Sequence, residues 1–466
     1  MLTYALEKSG RSGLYEQLYR FIREDITRGV LTTGEKLPSK RALARHLEVS
    51  VVTVENAYEQ LLAEGYIRSE EKRGYYVCPV DQPPQPEPRA PVELLEREER
   101  EWFLDFVVNS TAAEYFPFDT WARLMRRTIL EKNTDLLRPT PSTGALELRQ
   151  AIAAWLRAFR GMSVSAGQII LGAGTESLYG LLIRLLGRDK HYAVEEPGYG
   201  KIARIYESDD VTVCRIGLDD SGLSARELRR SEADVVHISP NHHYPTGIVM
   251  PIGRRQELLR WAGEKEGRYI LEDDYDSEFR FVGRPIPTLF SADDRERVIY
   301  LNTFSKTIAP SIRVSYMILP PHLIAEYRRR LGFYSCTVSS FEQYTLAAFL
   351  TEGHYEHHLS RMKTRYHKKR DAVIIAFRGG LPRCEILEQD AGLHFLVRLD
   401  TALSDTELQR RAAEQGVRLA LLSDYYHAAE LAPPHVLVVN YSGIELEQLP
   451  EGLHRLEKIL EGNQHV

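Results

Sequence analysis

Lys306 stands in the run Thr303-Phe304-Ser305-Lys306-Thr307-Ile308-Ala309-Pro310-Ser311-Ile312-Arg313, directly behind a serine and seven residues before an arginine. The run closes an apolar, strand-like stretch, Val298-Ile299-Tyr300-Leu301, and upstream lies Leu271-Glu272-Asp273-Asp274-Tyr275-Asp276. A lysine amine can form a Schiff base with an aldehyde. A carboxylate can pair with a pyridine nitrogen and keep it protonated, so that the ring accepts electrons. Serine and arginine supply donors and positive charge for a phosphate. These are together the requirements of pyridoxal 5'-phosphate (PLP). A Ser-Lys pair alone is weak, because a surface turn and an unrelated arginine look the same; its weight comes from the loops before it.

Those loops belong to an alternation of apolar runs and helical patterns. Gln168-Ile169-Ile170-Leu171, Tyr192-Ala193-Val194, Asp234-Val235-Val236-His237-Ile238, Arg268-Tyr269-Ile270-Leu271 and Val298 to Leu301 read as strands; Thr175 to Leu186 and Arg254 to Glu266 read as helices. This is an α/β layout with a largely parallel sheet, whose ligands bind at strand carboxyl ends. Gly172-Ala173-Gly174-Thr175-Glu176 follows the first strand and opens a helix, where close backbone approach and free amides suit a phosphate. Glu196-Pro197-Gly198-Tyr199 follows the second and offers an aromatic face to a flat ring. Ser239-Pro240-Asn241-His242-His243-Tyr244-Pro245-Thr246-Gly247 ends the third as a dense polar loop. Asp273 to Asp276 ends the fourth and Lys306 the fifth. Each loop carries chemistry suited to one cofactor. His354 and His358 have the i, i+4 spacing of metal ligands, but no third ligand is evident nearby, and they read as a polar helix face.

Residues from about 103 to 460 resemble the fold-type I aminotransferase class. The resemblance implies Lys306 as the lysine of an internal aldimine and Asp273 as the pyridinium partner, the catalytic pair. Tyr275 would bond the ring 3' oxygen and Tyr199 would stack on the ring, while Gly174, Thr175, Ser305 and Arg313 would hold the phosphate. Aminotransferases commonly have asparagine just before Pro-Thr-Gly; here Tyr244 stands there, leaving Asn241 or His242 to contact the cofactor. They also often carry a substrate-clamping arginine on a late strand. In His435-Val436-Leu437-Val438-Val439-Asn440-Tyr441-Ser442 that position is Val438, which argues against an ordinary amino-acid transaminase unless Lys201, Arg398 or Arg418 supplies the charge.

The first 78 residues are built differently. Leu14, Leu18, Phe21, Ile22 and Ile26 recur at helical spacing and Gly29 stops them. Ser39 caps a short helix to Leu47, and Ser50 caps a longer one to Glu64 with Val54, Tyr58, Leu61 and Leu62 as its apolar face. Gly65 follows, then two strand-like pieces, Tyr66 to Arg68 and Gly74 to Val77. This order is that of a winged helix-turn-helix. Leu37-Pro38-Ser39-Lys40-Arg41-Ala42-Leu43-Ala44, Val49-Ser50, Leu61-Leu62-Ala63-Glu64-Gly65-Tyr66-Ile67 and Arg73-Gly74 resemble the GntR-type DNA-binding domain. The resemblance implies Ser50, Thr53 and Asn56 facing the major groove, Ser39, Lys40 and Arg41 on phosphates, and Arg73 at the wing tip. The family commonly has arginine straight after the capping serine; here it is Val51.

Taken whole, the chain resembles the MocR/GabR family of PLP-dependent transcriptional regulators. The expected fold is an N-terminal winged helix-turn-helix plus an α/β fold-type I aminotransferase-like domain with a smaller C-terminal α/β subdomain. The expected domains are 1–78, DNA binding; 79–100, a linker rich in proline (Pro79, Pro83, Pro84, Pro86, Pro88, Pro91); and 101–466, binding PLP and an effector and forming the homodimer. The expected partners are double-stranded operator DNA and a small amine, an amino acid or PLP itself, sensed through Lys306. The alternative is an active aminotransferase with an accessory DNA-binding domain. Composition allows this. The 466 residues are 43% hydrophobic and 27% charged, with net charge −6, but residues 1–78 carry 12 Lys and Arg against 11 Asp and Glu. Four scattered cysteines without a Cys-x-x-Cys pair predict neither a zinc site nor a disulfide framework, and no apolar run is long enough to span a membrane. The expected location is the cytoplasm.

Overall fold

Leu18, Ile22 and Ile26, spaced as one helical stripe, are the buried face of the first helix, α1 (Leu14–Thr27), in the computed structural model. The structure describes residues 2–7, 13–80, 100–108, 113–281, 286–387 and 392–461. It divides into two units, Met1–Glu98 and Glu99–Val466. Most of the expected proline-rich linker lies at 81–99, outside the described residues.

In the first unit α2 (Lys40–Leu47) starts at Ser39, whose Oγ accepts from Ala42 N at 3.3 Å. Glu48 then takes a left-handed conformation (φ 53°), turning the chain before Ser50 caps α3 (Val51–Ala63) by accepting from Thr53 N at 3.0 Å. Both caps satisfy amides that the helix start leaves open. Val54, Ala57, Tyr58 and Leu61 are the buried face of α3. β1 (Ile67–Glu70) and β2 (Gly74–Val77) close the unit as an antiparallel hairpin with Ile67 opposite Val77. Three helices and a hairpin in this order are a winged helix-turn-helix.

The second unit begins with β3 (Leu104–Asp105) and is centred on eight strands: β4 (Ile169–Ala173), β5 (Tyr192–Glu196), β6 (Val213–Asp219), β7 (Gly222–Leu223), β8 (Val235–Ile238), β9 (Tyr269–Asp273), β10 (Val298–Thr303) and β11 (Val314–Ile318). Their order in the sheet is β4-β11-β10-β9-β8-β5-β6-β7. Pairing is parallel from β10 to β6, and antiparallel only around β11 and at the β7 edge. β8, β9 and β10 are buried along their whole length, as strands covered on both faces must be, and this explains their unbroken apolar runs. The helix expected from Arg254 to Glu266 is Ile252–Glu264: it starts as soon as Pro251 permits and ends ahead of Gly267, which takes φ +80°.

A smaller sheet of β12 (Glu385–Ile386), β13 (His394–Arg398) and β15 (Val436–Asn440) is antiparallel, and β14 (Val417–Arg418) pairs in parallel with β3. Helices His354–Gly380 and Leu449–Glu461 accompany it as the C-terminal subdomain. The four cysteines are free. Among the described residues no helix is long and apolar enough to cross a membrane.

Candidate cofactor pocket and DNA-facing surface

The carboxyl ends of β4, β5, β8, β9 and β10 open onto a cavity of about 760 Å³. Thr175, Tyr199, Tyr244, Asp273, Tyr275, Ser305, Lys306 and Arg313 line it. Gly174 adjoins Arg313 at its edge, whereas Asn241 and His242 are not among the lining residues.

Lys306 follows β10 in a tight turn. Burial lowers the pKa of its amine, against a smaller opposing effect of Asp276. A desolvated ammonium is costly, so the neutral, nucleophilic form is favoured. Asp273 ends β9. Its Oδ2 accepts from the Tyr179 hydroxyl at 2.5 Å and lies 3.4 Å from His237 Nε2, and His237 Nδ1 is 2.7 Å from the Tyr206 hydroxyl. Oδ1 of the same carboxylate is buried and unpartnered. An orphaned carboxylate oxygen on a cavity wall is a ready acceptor for a ring N–H.

The helix Thr175–Leu186 starts at Gly174 without a side-chain cap, which leaves its first amides available to an anion. Gly174 holds φ +84°, and a Cβ there would stand 2.1 Å from Arg313 Nη2. Arg313 is half exposed and 3.5 Å from Glu176. Ser305 donates its hydroxyl to Ile312 O at 3.1 Å. Gly174, Thr175, Ser305 and Arg313 thus gather at one end of the cavity.

Aromatic groups form another wall. Tyr199 is half exposed and meets Tyr244 edge-on at 6.0 Å, and the hydroxyls of Tyr244 and Tyr425 are 2.7 Å apart. Tyr275 reaches His242 Nδ1 at 3.3 Å. The polar loop after β8 mostly faces inward. Asn241 donates to Asp274 Oδ1 at 2.7 Å and accepts from Arg255 at 3.0 Å. His242 Nδ1 is 2.9 Å from Asp276, and its ring packs on His394, whose Nε2 donates to Pro245 O at 3.1 Å. His242, Asp276 and His394 offer ligand atoms within 4.8 Å of one another, all buried and without an ion. Asp274 pairs with the buried Arg160. His358 corrects the polar-face reading: it is buried, with Nε2 2.7 Å from Thr307 O, while His354 is partly exposed.

Val438 lies wholly inside β15, opposite Leu396, with Tyr244 and Tyr425 packed on the same apolar cluster. Of the cations that could replace an arginine there, Arg398 is tied to Glu385 at 2.7 Å and Arg418 to Asp105 at 3.3 Å. Lys201 does line the cavity, paired with Glu176 at 2.5 Å.

In the winged helix, Ser39 and Ser50 are engaged as caps, and the Ser50 and Thr53 hydroxyls are 2.8 Å apart. Lys40 bonds Glu55 at 2.6 Å. Arg41 and Asn56 are exposed, and Arg73 is exposed beside Glu70 at 3.7 Å. Sequence reasoning missed Tyr179, His237 and Glu195. A signal existed for two of them. Tyr179 is one turn after Thr175 on the helix that opens at Gly174, and His237 is the polar residue in an otherwise apolar strand.

The family description "Aminotransferase class I and II" matches residues 107–456, and "Bacterial regulatory proteins, gntR family" matches residues 14–77. The chain is 37% identical over 460 residues to the uncharacterized HTH-type transcriptional regulator YhdI of Bacillus subtilis, covering 98% of this chain and 97% of that protein. It is 31% identical over 471 residues to the probable rhizopine catabolism regulatory protein MocR of Rhizobium meliloti, covering 97% and 94%. The crystal structure of Pyrococcus horikoshii kynurenine aminotransferase, in complex with PMP, superposes with TM-score 0.69 at 23% identity, over 79% of this chain and 93% of that one, which shows the shared fold. With a GntR-type winged helix followed by an aminotransferase domain, and with HTH-type transcriptional regulators matching along nearly its whole length, the chain belongs to the MocR/GabR family of transcriptional regulators.

Proposed function

We propose that the protein is a cytoplasmic, homodimeric transcriptional regulator that holds PLP on Lys306 and responds to a small amine, an amino acid or PLP itself. The observation that carries this reading is the buried, unpartnered Oδ1 of Asp273 on the wall that also bears the desolvated Lys306 amine. These residues fit the cofactor. Asp273, braced by Tyr179, would accept the ring N–H and hold that proton at the nitrogen. Tyr275 would donate to the 3' oxygen, Tyr199 would cover the ring, and Gly174, Thr175, Ser305 and Arg313 would bind the phosphate. Asn241 and His242 would act from behind the wall, fixing Asp274 and Asp276. PLP supplies an aldehyde that condenses with amines and a ring that accepts electrons.

Regulation is favoured over turnover by Val438, since an apolar β-branched residue in β15 cannot clamp a carboxylate. Residues 1–78 would bind DNA through Arg41, Asn56 and Arg73, with Ser39, Lys40, Ser50 and Thr53 contacting it from their caps and ion pair. Residues 79–100 would be the spacer and 101–466 the sensing and dimerising part. Effector binding acts only through a difference in affinity between two arrangements of the DNA-binding units. Titration of the full chain against duplex DNA from upstream of its own gene, with and without PLP, tests this. The expected result is a salt-dependent affinity that changes with PLP for the wild type and does not for Lys306→Ala; identical PLP responses in the two proteins would overturn the sensing role.

A further inference from the structure

The first two turns of α3 carry an exposed apolar surface. Val51 and Val52 are 43% and 60% exposed, while Val54, Ala57, Tyr58 and Leu61 of the same helix are buried. Helical spacing sorts the outward residues into two rows: Val51 with Glu55, and Val52 with Asn56, each pair four apart. Glu55 is held by Lys40 at the start of α2, and the Lys40 amine is 5.7 Å from the centre of the Tyr75 ring in β2. The Val51–Glu55 row therefore faces the α2 start and the hairpin. α2 also carries Arg41 and Arg45, exposed and without an ion pair among the described residues.

What can be read from these turns is limited. The Ser50 and Thr53 hydroxyls are engaged with each other. Between Ser50 and Glu59 there is no arginine, lysine or glutamine, so no side chain there can form the two-pronged pair with guanine O6 and N7. Glu55, whose carboxylate could accept from cytosine N4, is engaged by Lys40 at 2.6 Å, so two valines and the exposed Asn56 amide remain in these two turns. A valine recognises one feature of a base edge, the thymine C5-methyl; an asparagine matches the N6 donor and N7 acceptor of adenine.

We infer that α3 reads an A·T core. Val51 and Val52 pack on the methyl groups of two thymines in the major groove and Asn56 pairs with an adenine, while the basic residues around them bind phosphates without selecting sequence. The inference rests on the DNA-binding reading above and specifies its operator.

Full-length protein is used to select from a pool of randomised duplexes, and each thymine of the enriched site is then replaced singly by deoxyuridine, which removes only the methyl. The expected result is an A·T core, with binding about fourfold weaker for each of two core thymines so replaced and unchanged elsewhere. Val51→Arg, at an exposed position, should move the selected base at one core position to G·C. A wild-type core that contains guanine, or thymine replacements that leave binding unchanged throughout, would overturn the inference while leaving salt-dependent DNA binding, and the regulator reading, in place. No duplex binding at any salt concentration would overturn both.

Discussion

The Tyr179 hydroxyl fixes one oxygen of Asp273 at 2.5 Å and leaves the other buried without a partner. One group thus orients the carboxylate for another. Tyr179→Phe leaves Oδ2 with only His237 at 3.4 Å. The apoprotein should lose about 1–3 kcal/mol, because a buried acceptor is left short of its donor. PLP should also be retained about tenfold more weakly, since 1.4 kcal/mol of lost orientation corresponds to that factor. Thermal unfolding and absorbance titration with PLP check the two effects.

Gly174→Ala places a methyl group against Arg313 at φ +84°. The strained backbone, with ψ at 163°, costs about 1–3 kcal/mol, and the arginine must also move out of the proposed phosphate end of the pocket. Affinity for PLP should fall at least about tenfold, whereas affinity for pyridoxal, which lacks the phosphate, should change little. Equal losses for the two ligands would show that Gly174 does not shape a phosphate site.

Glu195 and His243 predict the pH profile of the apoprotein. Burial, with Asp273 adding to it, pushes the Glu195 carboxyl up to about 8, and burial pushes His243, 3.5 Å away, down to about 3. Between 4.5 and 8 the folded chain keeps a Glu195 proton that the unfolded chain releases, so stability falls as pH rises. Between 3 and 6.5 the unfolded chain binds a His243 proton that the folded chain refuses, so stability rises with pH. The two slopes oppose each other between 4.5 and 6.5. The buried Glu272 and Glu278 carboxyls, raised to about 7, add a fall of the same sign up to 7. From 7 to 8 the fall from Glu195 remains, at about 1.4 kcal/mol per pH unit. Glu195→Gln should abolish the fall between 7 and 8 in urea unfolding measured across the range.

Arg160 and Asp274 are a buried pair, their side chains 2% and 0% exposed. Asp274 also accepts from Tyr300 at 2.6 Å and Asn241 at 2.7 Å. Arg160→Met strands that charge and should cost about 3–5 kcal/mol. Adding Asp274→Asn should restore part of the loss, a non-additivity that a double-mutant cycle in urea reads directly.

Features set by local chemistry were legible in the sequence. Ser39 and Ser50 cap helices because their hydroxyls reach amides three residues on, and Gly174 opens a helix because the turn needs positive φ. The helix from Thr175 to Leu186 matches its apolar pattern end to end. Side-chain direction in the loop after β8 was not legible: Asn241 and His242 turn toward Asp274 and Asp276, which lie more than thirty residues on and meet them only through parallel pairing of β8 with β9. Tyr179 and His237 escaped for the same reason, since their common partner Asp273 is brought to them by the sheet.

The most direct test of the account is the visible absorbance spectrum of the purified protein after addition of PLP, before and after borohydride, beside Lys306→Ala. The account predicts a yellow band that borohydride bleaches, leaving the label covalently fixed at Lys306, and no such band or label in the variant. A protein that stays colourless with PLP, or a variant that gives the same reducible band, would contradict it.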